Sequence, residues 1–249
     1  MAAIHRRSAL RVLGGMGAGA PIHPAAAQQL PRYSILGSGP VVLAFDQAPA
    51  GYFDEIARRY RVVVIEYPPQ DPSPAFIDSF TADRVCNDIL AVADQTGAER
   101  FAWYGFSWGG VVGLQLATRT SRLTALACGG WPPLGGQYRE TLATAEAAAN
   151  RGGNRLYLNF YRSIQDWPER EAVAKLRVPR LVFAGGRDQF VDGGGNIRIG
   201  PLVAEHRMEL ENMGWKVRLV PDFGHELGGR PDIVTPILRE FLDPVLLSG

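Results

Sequence analysis

Ser107 stands between glycines in Gly105-Phe106-Ser107-Trp108-Gly109, after the apolar run 100–104 and before a weakly polar stretch that reads as a helix over 108–120. A serine on a sharp strand-to-helix turn sits in a strained backbone conformation with its hydroxyl presented, and glycines two residues either side let the flanking elements approach. The helix that follows points free N–H groups and the positive end of its dipole at the oxyanion formed by attack on a carbonyl. A serine hydroxyl is a poor nucleophile until a base takes its proton, so this reading requires a histidine and an acid to orient it. Outside the first 27 residues only His206 and His225 exist. His206 falls in a helical run among charged neighbours and reads as solvent-facing. His225 follows the strand pattern 216–220 in the loop Pro221-Asp222-Phe223-Gly224-His225-Glu226, and is the candidate base. For the acid, the run 181–184 ends in Gly185-Gly186-Arg187-Asp188, which places Asp188 just past another strand. Asp192 is the alternative, and Asp222 and Glu226 lie too close to His225 in sequence.

Three such residues converge only if the chain repeatedly brings strand ends to one edge. Downstream of residue 30, short β-branched runs alternate with longer amphipathic ones, the pattern of a parallel, doubly wound α/β sheet flanked by helices. Strands are expected at 40–45, 61–66, 100–104, 123–128, 180–184 and 216–220, with an antiparallel edge strand at 32–36. Their dense Val, Ile, Leu and Phe content suits strands covered on both faces. Helices are expected at 52–59, 79–96, 108–120, 197–213 and 232–242. Between the strands near 128 and 180 the rhythm breaks, and helices at 138–150, 154–164 and 168–176 form an insertion over about 131–178. Following a strand end, this insertion is expected to lie as a small cap over the sheet edge where ligands bind in open α/β folds. Trp108, Trp131, Tyr138, Tyr157, Phe160, Tyr161 and Trp167 are candidates for an aromatic pocket beneath it, with core packing as the alternative.

Composition fits one globular domain: 249 residues, 46% hydrophobic and 20% charged. A net charge of +1, with no basic run beyond the N-terminus, gives no footprint for nucleic acid. Residues 1–27 read as an export signal, with the pair Arg6-Arg7, a mildly apolar glycine-rich stretch and the small-residue site Ala25-Ala26-Ala27. Such a signal implies contact with the export machinery and a periplasmic or secreted domain spanning 28–249. Pro21, His23 and Pro24 interrupt the stretch before it could anchor in a membrane. Cys86 and Cys128 lack metal-ligand spacing and read as buried thiols, with a single disulfide as the alternative.

From about Arg32 to Leu246 the chain resembles the α/β-hydrolase superfamily. The resemblance rests on GFSWGG at 105–110, GGRD at 185–188, FGH at 223–225 and DQAP at 46–49 after the strand PVVLAF. It implies a Ser-His-Asp triad supplied in the chain order Ser107, Asp188, His225, without metal or organic cofactor. It also implies an oxyanion hole built from the N–H groups of Trp108 and Ala48, with Gln47 as the alternative donor. Where the superfamily usually has His-Gly-x-Pro, this chain has Asp46-Gln47-Ala48-Pro49, which keeps N–H donors but replaces a glycine. Relatives that displace at carbon carry a carboxylate where Ser107 stands. A serine instead implies acyl transfer from an ester or lactone through an acyl-enzyme, with small to medium acyl substrates. Perhydrolysis of the cofactor-free haloperoxidase kind, carbon–carbon hydrolysis, peptide cleavage and a non-catalytic binding role on the same fold are the alternatives.

Overall fold

In the computed structural model, residues 30–46, 49, 51–153, 155–192 and 195–247 are described. The export signal expected over 1–27 and the oxyanion candidates Gln47 and Ala48 lie outside them. The chain runs through β1 (Tyr33–Leu36), β2 (Val41–Phe45), α1 (Asp54–Ala57), β3 (Arg61–Ile65), α2 (Pro74–Asp78), α3 (Ala82–Gln95), β4 (Phe101–Phe106), α4 (Trp108–Ala117) and β5 (Leu123–Gly129). It continues through α5 (Tyr138–Asn150), α6 (Leu156–Ile164), α7 (Glu169–Lys175), β6 (Arg180–Gly185), β7 (Gln189–Asp192), β8 (Gly195–Arg198), α8 (Ile199–Glu205), α9 (Arg207–Asn212), β9 (Trp215–Val220), a 3-10 turn (His225–Gly229) and α10 (Pro231–Leu246).

Among the described residues, seven strands form one sheet in the order β1-β3-β2-β4-β5-β6-β9. Only β1 is antiparallel, at the edge beside β3. The two-residue alternation of strand side chains divides the interior into two cores, one on each face. Leu43, Val63, Trp103, Leu126 and Val182 point into one, which also takes side chains of α3 and α4. Val42, Val62, Tyr104, Ala127 and Phe183 point into the other, closed by α1 and α10. Burial on both faces explains why the strands are apolar throughout rather than alternating.

Three expected helices are corrected. The helix expected over 197–213 begins as a strand: β7 and β8 form an antiparallel hairpin, pairing Phe190 with Ile197 and Asp192 with Gly195. Gly195 and Ile197 are buried while Asn196 is exposed, a period of two over a strand too short to announce itself in sequence. The helical remainder is broken at His206, where α8 ends and α9 begins. Likewise only Asp54–Ala57 of the stretch 52–59 is helical, whereas α10 runs past Leu242 and through Pro236 and Pro244 to Leu246.

The insertion consists of α5, α6 and α7. Trp131, Tyr138, Phe160 and Tyr161 join the core on the α3 and α4 face, with Trp167 packed against it. Glu169, at the start of α7, accepts the Gly136 N–H with its two carboxylate oxygens at 3.0 and 3.1 Å, tying α7 to the segment that leaves β5. Burial pushes its carboxyl from 4.5 up to about 7, against the opposing influence of the Gly136 N–H, the Tyr138 hydroxyl and the Arg170 guanidinium. The folded protein therefore holds this proton more tightly than the unfolded chain does. The stability it contributes is complete below pH 4.5 and is lost as pH rises through about 7. Glu169→Gln keeps an acceptor for Gly136 and cannot ionise, so its stability relative to the wild type is expected to be higher at pH 8 than at pH 5. Urea midpoints at the two pH values measure this, and an offset independent of pH would refute it.

Candidate active site

Ser107 caps α4 with φ +55° and ψ −120°, and among the described residues it is the one non-glycine in the left-handed region. That conformation is held from both sides. Its N–H donates to the Gly129 carbonyl at 2.8 Å, and its own carbonyl accepts from Gly110 and Val111 as the helix begins. Gly105 is required by space, because a Cβ there would lie 2.1 Å from the Gly109 carbonyl oxygen. Gly109 is not: a Cβ there would make ordinary contact with Phe45 at 3.6 Å. The close approach that the sequence suggested for Gly109 falls instead on Gly113, whose Cβ would come within 2.6 Å of the Trp103 ring.

Asp188 and His225 come from two loops at the ends of neighbouring parallel strands, β6 and β9. The loops are stitched together by the Gly186 N–H on the Val220 carbonyl at 2.8 Å and the Arg187 N–H on the Phe223 carbonyl at 2.9 Å. The start of α8 then clamps Asp188, as the N–H groups of Ile199 and Gly200 both donate to its backbone carbonyl at 2.9 and 2.8 Å. Gly200 carries this approach, since a Cβ there would lie 2.2 Å from the Gly185 carbonyl oxygen.

The loops bring the three side chains into one hydrogen-bonded line. Asp188 is fully buried, and both its carboxylate oxygens face His225 Nδ1, at 3.1 and 3.0 Å. His225 Nε2 lies 2.9 Å from the Ser107 hydroxyl. A carboxylate facing Nδ1 fixes the ring proton there, which leaves Nε2 to accept from the hydroxyl. Phe106 and Phe190 flank the imidazole, with ring centroids 5.2 and 5.4 Å away. About a third of the His225 side chain remains exposed. A cavity of about 270 Å³ opens on Ser107 and His225, walled by Phe45, Tyr52, Phe53, Tyr104, Phe106 and the glycines at 228 and 229.

The remaining candidates are disposed differently. Asp192 ends β7 opposite Gly195. Glu226 folds back to accept the Gly224 N–H at 2.8 Å, and this backbone bond lowers its carboxyl below the usual range. Asp222 is exposed and accepts through its backbone carbonyl from Arg187. His206 is half-buried rather than solvent-facing, with Nδ1 at 3.4 Å from Glu209. Trp108 is the first residue of α4, so its N–H has no acceptor within the helix. Its indole is sandwiched between elements: it stacks on Phe45 at 5.1 Å and meets Tyr157 and Phe160 edge-on.

Among the described residues, none from 131–178 lines the cavity. The aromatic wall comes from β2, β4 and the segment before α1, positions that sequence reasoning passed over. One signal was available: on β4, Tyr104 must face opposite to Trp103 and on the same side as Phe106. Cys86 and Cys128 are free, buried thiols, so the disulfide alternative is not realised. Burial pushes the Cys86 thiol up to about 12. Among the described residues, no group of three or more His, Cys, Asp or Glu side chains gathers to hold a metal ion.

A family model described as alpha/beta hydrolase fold matches residues 44–133. No curated protein matches the sequence. Among solved structures the chain is similar to an enol-lactonase from Burkholderia xenovorans LB400, at 17% identity and TM-score 0.60 over 85% of this chain and 95% of that one. It is similar to a thermophilic esterase from Thermogutta terrifontis, at 17% identity and TM-score 0.62 over 86% and 93%. It is also similar to epoxide hydrolases from metagenomes of hot environments, at 17% identity and TM-score 0.57 over 84% and 93%. The chain has the α/β-hydrolase fold, and that fold serves more than one reaction.

Proposed function

Taking the α/β-hydrolase fold as premise, we propose that this protein is a serine hydrolase that cleaves esters or lactones of small acyl groups through an acyl-enzyme. The observation that carries the reading is the unbroken line from the Ser107 hydroxyl through the His225 imidazole to the buried Asp188 carboxylate, at the mouth of a cavity. Serine as nucleophile favours attack at a carbonyl over displacement at an epoxide carbon. His225 takes the Ser107 proton as the Oγ–carbon bond forms, and Asp188 stabilises the resulting imidazolium. The Trp108 N–H, with a donor from the 47–48 segment, receives the oxyanion. The imidazolium then protonates the leaving alcohol. His225 next deprotonates a water that attacks the acyl carbon and releases Ser107.

The enzyme reading and a purely binding role on the same fold part at the nucleophile. Stoichiometric labelling of Ser107 by a fluorophosphonate is expected from an activated serine, and folded protein that resists labelling would support binding alone. A cavity of about 270 Å³ lies just under the usual range for small-molecule sites. Among p-nitrophenyl esters, acetate and butyrate are therefore expected to be hydrolysed with a kcat/KM at least tenfold above octanoate. Equal or rising rates with chain length would show that the acyl chain lies elsewhere.

A further inference from the structure

Tyr52 and Tyr104 have no part in the acyl-transfer steps, yet their hydroxyl oxygens lie 2.8 Å apart inside the cavity wall. They come from separate elements, the turn before α1 and strand β4, and expose only 3% and 5% of their surfaces. Each phenol carries one proton. One proton joins the two oxygens, and the other has no acceptor among the described residues. Burial pushes both phenols above their ordinary value, so the pair stays neutral and keeps both protons across the physiological range.

A buried donor without a partner is costly unless water or a ligand answers it. Apart from the two tyrosines and from Ser107 and His225 at the mouth, the side chains among the described residues of the wall are apolar: Phe45, Phe53 and Phe106. Among the described residues no lysine or arginine lines the cavity, so a carboxylate there would be desolvated against a single neutral donor. The ligand chemistry that fits is a neutral oxygen acceptor on a short apolar frame. The cavity, walled by aromatic rings, also suits the half of the ester that stays on Ser107, whereas the alcohol must leave and water must reach His225, whose side chain is one-third exposed.

Building on the acyl-transfer reading, we propose that this cavity holds the acyl group of the substrate and that the Tyr52–Tyr104 pair donates a hydrogen bond to a keto, hydroxyl or ether oxygen carried on that group. The protein is thereby selective for oxygen-bearing short acyl chains over plain alkanoyl chains. The donor discriminates because the plain chain fills the same space but leaves a buried O–H unanswered.

The test compares p-nitrophenyl 4-oxopentanoate, 5-oxohexanoate and 6-oxoheptanoate with pentanoate, hexanoate and heptanoate, each corrected for spontaneous hydrolysis. At least one oxo ester is expected to exceed its plain partner about tenfold in kcat/KM. In Tyr52→Phe/Tyr104→Phe that ratio is expected to fall to near one. Removing both hydroxyls together leaves no orphaned group and preserves ring shape, so the fold is little disturbed. A ratio near one for all three pairs on the wild-type protein overturns the proposal without recourse to any variant, as does a tenfold ratio that survives in the double variant. Absence of Ser107-dependent hydrolysis of every ester, oxo and plain, takes the acyl-transfer reading down with it. Hydrolysis without discrimination removes only the selectivity.

Discussion

Ser107→Ala is expected to lower ester turnover by roughly 10³ to 10⁶, and Ser107→Gly to do the same while making the protein more stable. The kinetic loss follows from removing the hydroxyl oxygen that lies 2.9 Å from His225 Nε2 and is placed to attack. The gain in stability follows from the backbone. At φ +55° a residue with a Cβ is strained by roughly 1–3 kcal/mol, and glycine adopts the conformation freely. Against this, glycine adds unfolded-state entropy that costs about 0.5–1 kcal/mol. A net gain of about 1 kcal/mol remains, raising Tm by roughly 2–4 °C in a domain of this size. Ser107→Ala keeps the Cβ and the strain, so its Tm stays near that of the wild type. Steady-state hydrolysis and thermal unfolding of the three proteins decide the matter. A Ser107→Gly protein less stable than Ser107→Ala would mean that the turn stores no strain, and a serine-independent rate would end the nucleophile assignment.

That such a turn can be located from sequence reflects how local its causes are. The apolar run into β4, the glycine at 105 and the weakly polar α4 are all contiguous, and the structure places the elbow where they meet. The parallel sheet was legible for a related reason: strands covered on both faces are apolar throughout, and six of them alternate with helices. What stayed hidden depends on partners distant in the chain. The β7–β8 hairpin has four-residue strands, too short for a period to emerge from so many glycines. The insertion's aromatics are conspicuous in the sequence and suggest a pocket there, yet Trp131, Tyr138, Phe160 and Tyr161 are used as core. Nothing local marks Tyr52 as the partner of Tyr104; only the packing of α1 beneath the sheet brings the two hydroxyls together. The fold thus confines the chemistry to strand ends, while the groups that would select a substrate are set by contacts across the core.

The acid offers the sharpest test of that division, because two aspartates stand four residues apart after β6 and the carboxylate of Asp188 faces the histidine. Asp188→Ala is expected to reduce turnover by roughly 10² to 10⁴, and Asp192→Ala to leave it within a few-fold of the wild type. Both oxygens of Asp188 lie within hydrogen-bond reach of His225 Nδ1, and its complete burial shields the interaction from water. Without that carboxylate the ring loses the group that fixes its proton on Nδ1 and stabilises its charge once Ser107 has been deprotonated. The loop itself should survive the change. Its links to Ile199, Gly200, Arg187 and Phe223 run through the backbone rather than through the Asp188 side chain. Asp188→Asn separates shape from charge: it fills the same space but has one amide oxygen to offer Nδ1 and an N–H₂ that favours the wrong tautomer. Its turnover is therefore expected to fall about as far as that of Asp188→Ala. A substantially active Asp188→Asn would mean that the side chain serves only packing. A collapse confined to Asp192→Ala would transfer the role to the residue at the end of β7.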